Sequence, residues 1–405
     1  MGYTCRVFPR AICPVSSRAP SLAGRKGWRD IMIEGGLSIY RLLSAMGKLG
    51  ASDLHIKVGI PPTYRINGTL KPVDAAPLTE DEADHLLDPI VPKKMLERFE
   101  REGSLDFATH TSDGDRYRIN IFRSGDHTHA AIRRVKSEIP NYDDLHLPPV
   151  YHDLIEKTNE GLILVVGVTG SGKSTTLAAM IEHVNRIRAV NIITIEDPVE
   201  YRFSSAKSIV SQREIGIDVP DYPMALRYIV RQDPDVVFIG EMRDHETVLA
   251  AIQAAETGHR VFGSLHTADT MQAFNRILEF FPKEEHAFIR SALSTSLKAI
   301  CAQRLLPAVE DYEIGMVPAT EVLLASPTVR EKIREGYDED LPAIVASCED
   351  GMRSFTYSLA EMVRNEQVDM TTAMTYAPNR EALAADLKGV EVKAQSLVSR
   401  VRSSR

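Results

Sequence analysis

The chain has 405 residues, and 48 Lys and Arg against 56 Asp and Glu give a formal net charge of −8. This length suffices for two or three domains with cores of their own, and a hydrophobic content of 43% argues against a disordered chain. No apolar run approaches the roughly 18–20 residues that a membrane-spanning helix needs, so we expect no direct membrane insertion. The negative charge disfavours nucleic-acid binding through a broadly basic surface.

The cysteines are few and widely scattered. They are Cys5, Cys13, Cys301 and Cys348. This spacing provides neither a disulfide framework nor a CxxC metal clip, so we expect a reducing, cytoplasmic compartment.

Both ends of the chain differ in composition from the rest. Residues 1–35 carry several arginines, with Asp30 as the single acid of the first thirty. A transit peptide has this composition, but we favour the alternative that translation begins at Met32 or Met46. We leave this extension unassigned, and we expect the basic tail 386–405 to be a solvated end.

Residues 36–145 have the pattern of a small α+β domain. Strands are predicted at 54–58, 63–66 and 116–122. Turn dipeptides such as Asn67-Gly68 and Asp113-Gly114 separate such segments. The stretch 79–102 is interpreted as one helix, and the proline-bearing stretch 139–149 as a linker.

Residues 146–385 alternate short apolar runs with amphipathic helical segments. The runs are Leu162–Val166, Asn191–Ile195, Val236–Ile239 and Arg260–Leu265. Continuous apolar strands separated by helices predict an α/β fold with a parallel sheet covered on both faces. After about residue 285 the strand signals fade, and helices are predicted as far as about Asn365.

A complete GxxxxGK[ST] motif begins at Gly167, directly after an apolar strand and before a helix. Backbone N–H groups of such a loop close around phosphate oxygens, and the helix N-terminus adds positive charge. Lys173 is expected to reach the β- and γ-phosphates of ATP, and Ser174 to bind Mg²⁺. The predicted nucleotide-binding residues are Gly167, Val168, Thr169, Gly170, Ser171, Gly172, Lys173, Ser174 and Thr175.

Two acids follow later strands. Glu241 ends a Walker B-like segment, and Glu196 ends the strand before it. Carboxyl ends of parallel strands meet at the ligand crevice, where one acid can hold the metal and the other can activate water. Each acid alone could be an ordinary turn residue. His266, also at a strand end, could contact the γ-phosphate or be structural.

Four segments in order carry a family resemblance: GVTGSGKSTTLAAMI, NIITIEDPVEY, RQDPDVVFIGEMRD and TGHRVFGSLHTADT. This set resembles the secretion and type IV pilus motor ATPases, and within them the PilT-like twitching-motility group. ASDLHIKVGIPPTYRINGTL resembles that family's PAS-like N-terminal domain. The resemblance spans about residues 40–385 and implies a RecA-like motor domain with a helical C-terminal part.

The resemblance also implies roles for individual residues. Glu196 would be the general base, Glu241 the Walker B acid and metal ligand, and His259 and His266 the His-box residues. The family's nucleotide-facing arginines would correspond to Arg118, Arg123, Arg133 and Arg134. An alternating strand with solvated arginines is the other interpretation of these four.

ATP and Mg²⁺ would then bind between the two domains and against a neighbouring subunit of a homo-hexamer. The hexamer would lie at the cytoplasmic face of the inner membrane and act on a pilus platform protein. Val168 stands where the family commonly has proline, and we expect nucleotide binding to survive. Residues Thr328–Glu335 match the family's AIRNLIRE retraction motif only loosely.

Pilus retraction is the first interpretation, and three alternatives stay open. Pilus assembly and type II secretion ATPases usually carry a tetracysteine zinc module, which this sequence lacks, so we expect no zinc. A DNA translocase should have a basic groove or aromatic stacking platform; aromatic residues are 6% of the chain, and we expect no nucleic-acid partner. A non-catalytic nucleotide sensor would not need both Glu196 and Glu241.

Overall fold

A computed structural model describes residues 37–389 apart from positions 67, 112–114, 136–138, 311 and 313–314. The extension 1–35, most of the tail 386–405 and the turn predicted at Asp113-Gly114 lie outside the described residues. The chain divides into two compact units, with the boundary between Val135 and Lys136. Within the described ranges, no helix combines the length and apolar character that a bilayer crossing requires.

The first unit is a six-stranded antiparallel sheet packed against helices, with strand order β3-β2-β1-β6-β5-β4. Its strands are β1 (Ala51–Ile56), β2 (Thr63–Ile66), β3 (Thr69–Pro72), β4 (Ser104–His110), β5 (Arg116–Ser124) and β6 (His127–Val135). Its helices are α1 (Ile39–Leu49), α2 (Glu80–Leu87) and α3 (Leu96–Glu102). Buried Tyr64 and Tyr117 tie the sheet to α1, because their hydroxyls donate to the carbonyls of Leu42 at 2.9 Å and Leu43 at 2.8 Å.

The predicted helix 79–102 is two helices. Thr79 and Glu82 form a capping box that starts α2, and this helix ends at Leu87. Pro89 and Pro92 then interrupt the helical path before α3, since proline lacks the N–H that a continuous helix requires. Strands β3, β4 and β6 were not predicted, because their sequences mix polar and apolar residues without clear alternation.

The second unit is a seven-stranded sheet with order β13-β12-β7-β11-β10-β8-β9. The strands are β7 (Gly161–Val166), β8 (Asn191–Glu196), β9 (Ile209–Glu214), β10 (Val236–Ile239), β11 (Arg260–Leu265), β12 (Leu297–Pro307) and β13 (Met316–Leu324). All neighbours are parallel except β12 and β13. The four predicted apolar strands are confirmed as β7, β8, β10 and β11, and with them the α/β fold class.

Helices cover both faces of this sheet. They are α4 (Pro149–Lys157), α5 (Lys173–Ile187), α6 (Tyr222–Ile229), α7 (His245–Glu256), α8 (Thr270–Glu279), α9 (His286–Ser296), α10 (Pro327–Glu335), α11 (Leu341–Ala346), α12 (Phe355–Arg364), α13 (Met370–Tyr376) and α14 (Arg380–Leu387). Residues of α4 and α5 pack on one face, and α6 to α9 with the C-terminal helices pack on the other. Every residue of β7 and β11 is buried as a result.

Two expectations for this unit are corrected. Mainly helices were predicted after about residue 285, but β12 and β13 form an antiparallel pair there, and β12 pairs with β7 inside the sheet. Its interior position explains its apolar sequence, which could equally suit a buried helix. The stretch 139–149 is not a linker, because Tyr142 and Leu145 pack into the core beside Tyr151.

Candidate functional site

The phosphate loop joins the carboxyl end of β7 to the N-terminus of α5, as the motif predicts. Gly172 has a backbone φ of +88°, which residues other than glycine rarely adopt. A Cβ on Gly167 would lie 2.3 Å from Ser171 Oγ and 2.6 Å from the Gln303 carbonyl. The glycines are therefore required by the turn and by the close approach of β12.

A cavity of about 390 Å³ opens over this loop. Its lining includes Thr169, Gly170, Ser171, Gly172, Lys173, Ser174, Thr175, Glu196, Tyr201, Gly240, Glu241, Ser264 and His266. Gly167 and Val168 belong to the loop but not to the lining, and the Val168 side chain is exposed. The volume and the convergence of polar groups are those of a small-ligand site.

Lys173 is buried at the start of α5. Its Nζ donates to the carbonyls of Gly167 at 2.7 Å and Val168 at 3.2 Å, and lies 3.5 Å from His266 Nδ1. Burial lowers the pKa of this ammonium below its ordinary value, although nearby Glu241 opposes the effect. A ligand phosphate would give the ammonium an anionic partner in place of these neutral carbonyls.

Glu196 ends β8 and is only 5% exposed. Thr194 Oγ1 donates to its carboxyl at 2.6 Å, and Gln212 Nε2 donates at 3.1 Å. Burial raises the pKa of Glu196 to about 7, because it outweighs the stabilisation of the anion by these hydrogen bonds. A carboxyl that titrates near neutral pH is suited to take up a proton.

Glu241 follows β10, and its pKa is shifted in the opposite direction from that of Glu196. Burial alone would raise its pKa, but a 2.6 Å hydrogen bond from Arg243 and the positive charges nearby lower it below its ordinary value. His266 Nε2 lies 3.4 Å from the same carboxylate. Divergent pKa values in neighbouring acids allow them to have different roles.

Ser174 and Glu241 line the same cavity and offer a hydroxyl and an ionised carboxylate. Mg²⁺ takes such oxygen ligands and completes its shell with waters and nucleotide phosphates. These two side chains therefore fit the predicted magnesium site.

His259 does not join the site. It precedes β11, where Arg260 pairs with Gly161 at the entry of β7, whereas Leu265 pairs with Val166 at the exit. At about 3.3 Å per residue, His259 and His266 lie about 23 Å apart along the strand. His259 Nδ1 contacts the Ala254 carbonyl at 3.0 Å instead.

The predicted arginines lie on β5 and β6 of the first unit. Arg118 and Arg133 are directly opposite each other in the sheet. Arg133 Nε is 2.9 Å from Asp53 Oδ1, whereas Arg118 Nε is 4.0 Å from Asp106 Oδ1.

The remaining two arginines have other contacts. The Arg123 guanidinium lies 5.3 Å from the centroid of the Phe99 ring. Arg134 donates twice to Asp115, at 2.7 and 3.1 Å, which indicates a structural ion pair.

Several residues of the second-unit site were not predicted from the sequence, and four of them make informative contacts. They are Thr194, Tyr201, Gln212 and Gln303. Gln303 Nε2 donates to the Ser171 carbonyl at 2.6 Å, and Tyr201 OH lies 2.8 Å from Thr175 Oγ1. Thr194 could have been found, because it is two residues from Glu196 on one strand face. Gln303 could not, since β12 itself was not predicted.

Comparisons with known proteins place the chain in a family. Residues 39–373 match the family of Type II/IV secretion system proteins. The chain is 38% identical over 299 residues to the type IV pilus retraction ATPase PilT of Pseudomonas aeruginosa, covering 74% of this chain and 86% of that one. It is 36% identical over 365 residues to the type IV pilus ATPase PilU of the same organism, covering 90% and 95%.

A solved structure shows the same likeness. The crystal structure of the pilus retraction motor PilT with bound ADP superposes with a TM-score of 0.81 at 38% identity, covering 86% of this chain and 99% of that chain. The match to the family covers most of the chain. The P. aeruginosa ATPase is similar to it in sequence, and the PilT crystal structure is similar to it in sequence and fold. The chain therefore belongs to the Type II/IV secretion system protein family.

Proposed function

We propose that the protein is an ATP-hydrolysing motor that drives retraction of type IV pili. The observation that carries the proposal is the phosphate-loop cavity, where a buried Glu196 with a pKa of about 7 and an ionised Glu241 line one space. The similarity to PilT, which extends over most of both chains, supports retraction as the process that the motor serves.

In the proposed mechanism, Lys173 leaves the loop carbonyls and binds the β- and γ-phosphates of ATP. Ser174 and Glu241 would hold Mg²⁺, and the ion would neutralise negative charge on these phosphates. Glu196 accepts the proton of the water that attacks the γ-phosphorus, and the bond between that phosphorus and the leaving oxygen of ADP breaks. His266 donates a hydrogen bond toward the γ-phosphate.

We assign a supporting role to Arg118, Arg123 and Arg133. In this proposal they neutralise charge on the transferred phosphoryl group, some of them from a neighbouring subunit. The loose 4.0 Å approach of Arg118 to Asp106 and the 71% exposure of the Arg133 side chain leave both guanidinium groups able to bind an anion. Arg134 is excluded, because Asp115 already binds it bidentately.

The proposal includes a homo-hexamer at the cytoplasmic face of the inner membrane, acting on a pilus platform protein. In sedimentation velocity with a non-hydrolysable ATP analogue and Mg²⁺, we expect a species at six times the chain mass of 45.0 kDa. An Arg118→Ala/Arg133→Ala variant should still assemble but hydrolyse ATP slowly. A strict monomer at all concentrations would contradict the ring.

Retraction and assembly give opposite phenotypes when this gene alone is deleted in its host. Loss of retraction should leave abundant surface pili and abolish twitching, whereas loss of assembly should remove the pili. We expect the first result, with rescue by the wild-type gene and no rescue by Lys173→Ala. Absent pili would favour the assembly motor, and an unchanged pilus count with normal twitching would contradict both.

A further inference from the structure

A cluster of two histidines and one glutamate lies outside the nucleotide cavity, between two helices of the second unit. His152 and Glu156 are one turn apart on α4, and His183 lies on α5. One potential ligand atom from each side chain falls within 4.8 Å of the other two. The helices are adjacent in space, so two segments about thirty residues apart in sequence supply the three groups.

The two separations from Glu156 are slightly longer than those between ligands around one metal ion. Glu156 Oε1 is 3.4 Å from His152 Nε2 and 3.9 Å from His183 Nε2. Metal–ligand bonds of about 2.0–2.1 Å at tetrahedral angles place ligand atoms about 3.3 Å apart. Small rotations of the three side chains would therefore bring all of them onto a common ion.

Within the described parts of the chain, the surroundings of His183 leave its Nε2 atom without a hydrogen-bonding partner. His183 Nε2 is buried and has no hydrogen-bond partner among the residues that the structure describes, since Glu156 is beyond hydrogen-bond distance. The Tyr142 ring packs beside both imidazoles, with centroids 6.2 Å from His152 and 5.8 Å from His183. Buried imidazole nitrogens ordinarily find a donor, an acceptor or a metal.

We propose that His152, Glu156 and His183 bind a transition-metal ion, Zn²⁺ being the best fit. Two imidazole nitrogens and one carboxylate are common zinc ligands, and the partial exposure of all three side chains leaves a fourth position for water. Mg²⁺ and Ca²⁺ fit poorly, because they favour oxygen ligands. The ion would join α4 to α5, the helix that begins at Lys173.

This site is unrelated to the tetracysteine module whose absence we noted above. That module requires four clustered thiolates, whereas the proposed site of two histidines and one glutamate uses no thiolate. The metal proposal is also independent of the pilus function, because none of its residues lines the cavity and its test measures binding.

The test is a titration of the full-length, tag-free protein after dialysis against a chelator. Co²⁺ replaces Zn²⁺ as an absorbing probe, Zn²⁺ then competes for it, and ADP with Mg²⁺ is present throughout to occupy the cavity containing Glu241 and His266. We expect one Co²⁺ per chain with the visible absorption of a tetrahedral site. Zinc should also raise the melting temperature.

Ligand variants and a matched control decide the outcome. His183→Ala and Glu156→Gln should each weaken binding by about 100-fold or more, beyond the 10–100-fold typical of residues that only support a ligand. His245→Ala should change nothing, although His245 Nε2 lies 3.5 Å from Glu285 Oε2 in a comparable pair. Equal affinity in the wild type and in both ligand variants would overturn the proposal, as would no binding by the wild type. Glu156→Gln keeps the proposal testable if His183→Ala fails to fold.

Discussion

Replacing Lys173 with alanine is expected to lower ATP hydrolysis by at least about 10²–10³-fold. The ammonium belongs to the only lysine or arginine in the described lining of the cavity, so its loss removes one of the positive charges that would stabilise the developing phosphate oxyanions there. Phosphate release from purified protein at saturating ATP and Mg²⁺ measures the effect.

Lys157→Ala is the matched control, since that lysine is 72% exposed on α4 and pairs only with Asp153 in the described structure. It should hydrolyse ATP at the wild-type rate. Near wild-type turnover by Lys173→Ala would exclude the proposed phosphate site, whatever the pilus phenotype.

Glu196→Gln is expected to hydrolyse ATP about 10²–10⁴-fold more slowly while it still binds the nucleotide. The amide keeps the size of the side chain and can still accept from Thr194, but it cannot take up a proton from water. Single-turnover hydrolysis and equilibrium binding of a fluorescent ATP analogue separate the two effects.

Glu241→Gln provides the comparison, because its carboxylate is assigned to the metal. That variant should need a higher Mg²⁺ concentration for half-maximal rate. If Glu241→Gln stopped the chemistry at saturating Mg²⁺ and Glu196→Gln did not, the two roles would be reversed.

The pH profile adds a second measurement to the same prediction. Because Glu196 must be deprotonated to act as a base and its pKa is about 7, kcat/KM should rise with pH and level off above about 7. Glu196→Gln should lack this ascending limb. A wild-type profile that is flat between pH 5 and 8 would argue against Glu196 as the base.

The central part of the site was predictable because its signals are local. The phosphate loop is one continuous motif, and Glu196 and Glu241 each end an apolar strand. Chain direction alone then places these residues together, because the carboxyl ends of parallel strands lie at one edge of the sheet.

The expectation for His259 followed from the family resemblance and did not take chain direction into account. His259 and His266 bracket the same strand, and only His266 stands where the chain leaves the sheet. Contacts between segments that are distant in sequence could not be predicted either. Gln212 of β9 donates to Glu196, and Gln303 of β12 donates to the phosphate loop, and neither strand was predicted. The cluster around His183 depends likewise on the packing of α4 against α5.

Strand β12 connects the phosphate loop to the C-terminal helices. Gln303 holds the phosphate loop through the Ser171 carbonyl, and the next residue, Arg304, points to the other side of the strand. There Arg304 donates to the Tyr376 carbonyl at 2.9 Å and lies 4.3 Å from the centroid of the Phe355 ring. Two successive side chains therefore link the loop to the C-terminal helices. A displacement of the loop would thus disturb the contacts of those helices through neighbouring residues of a single strand.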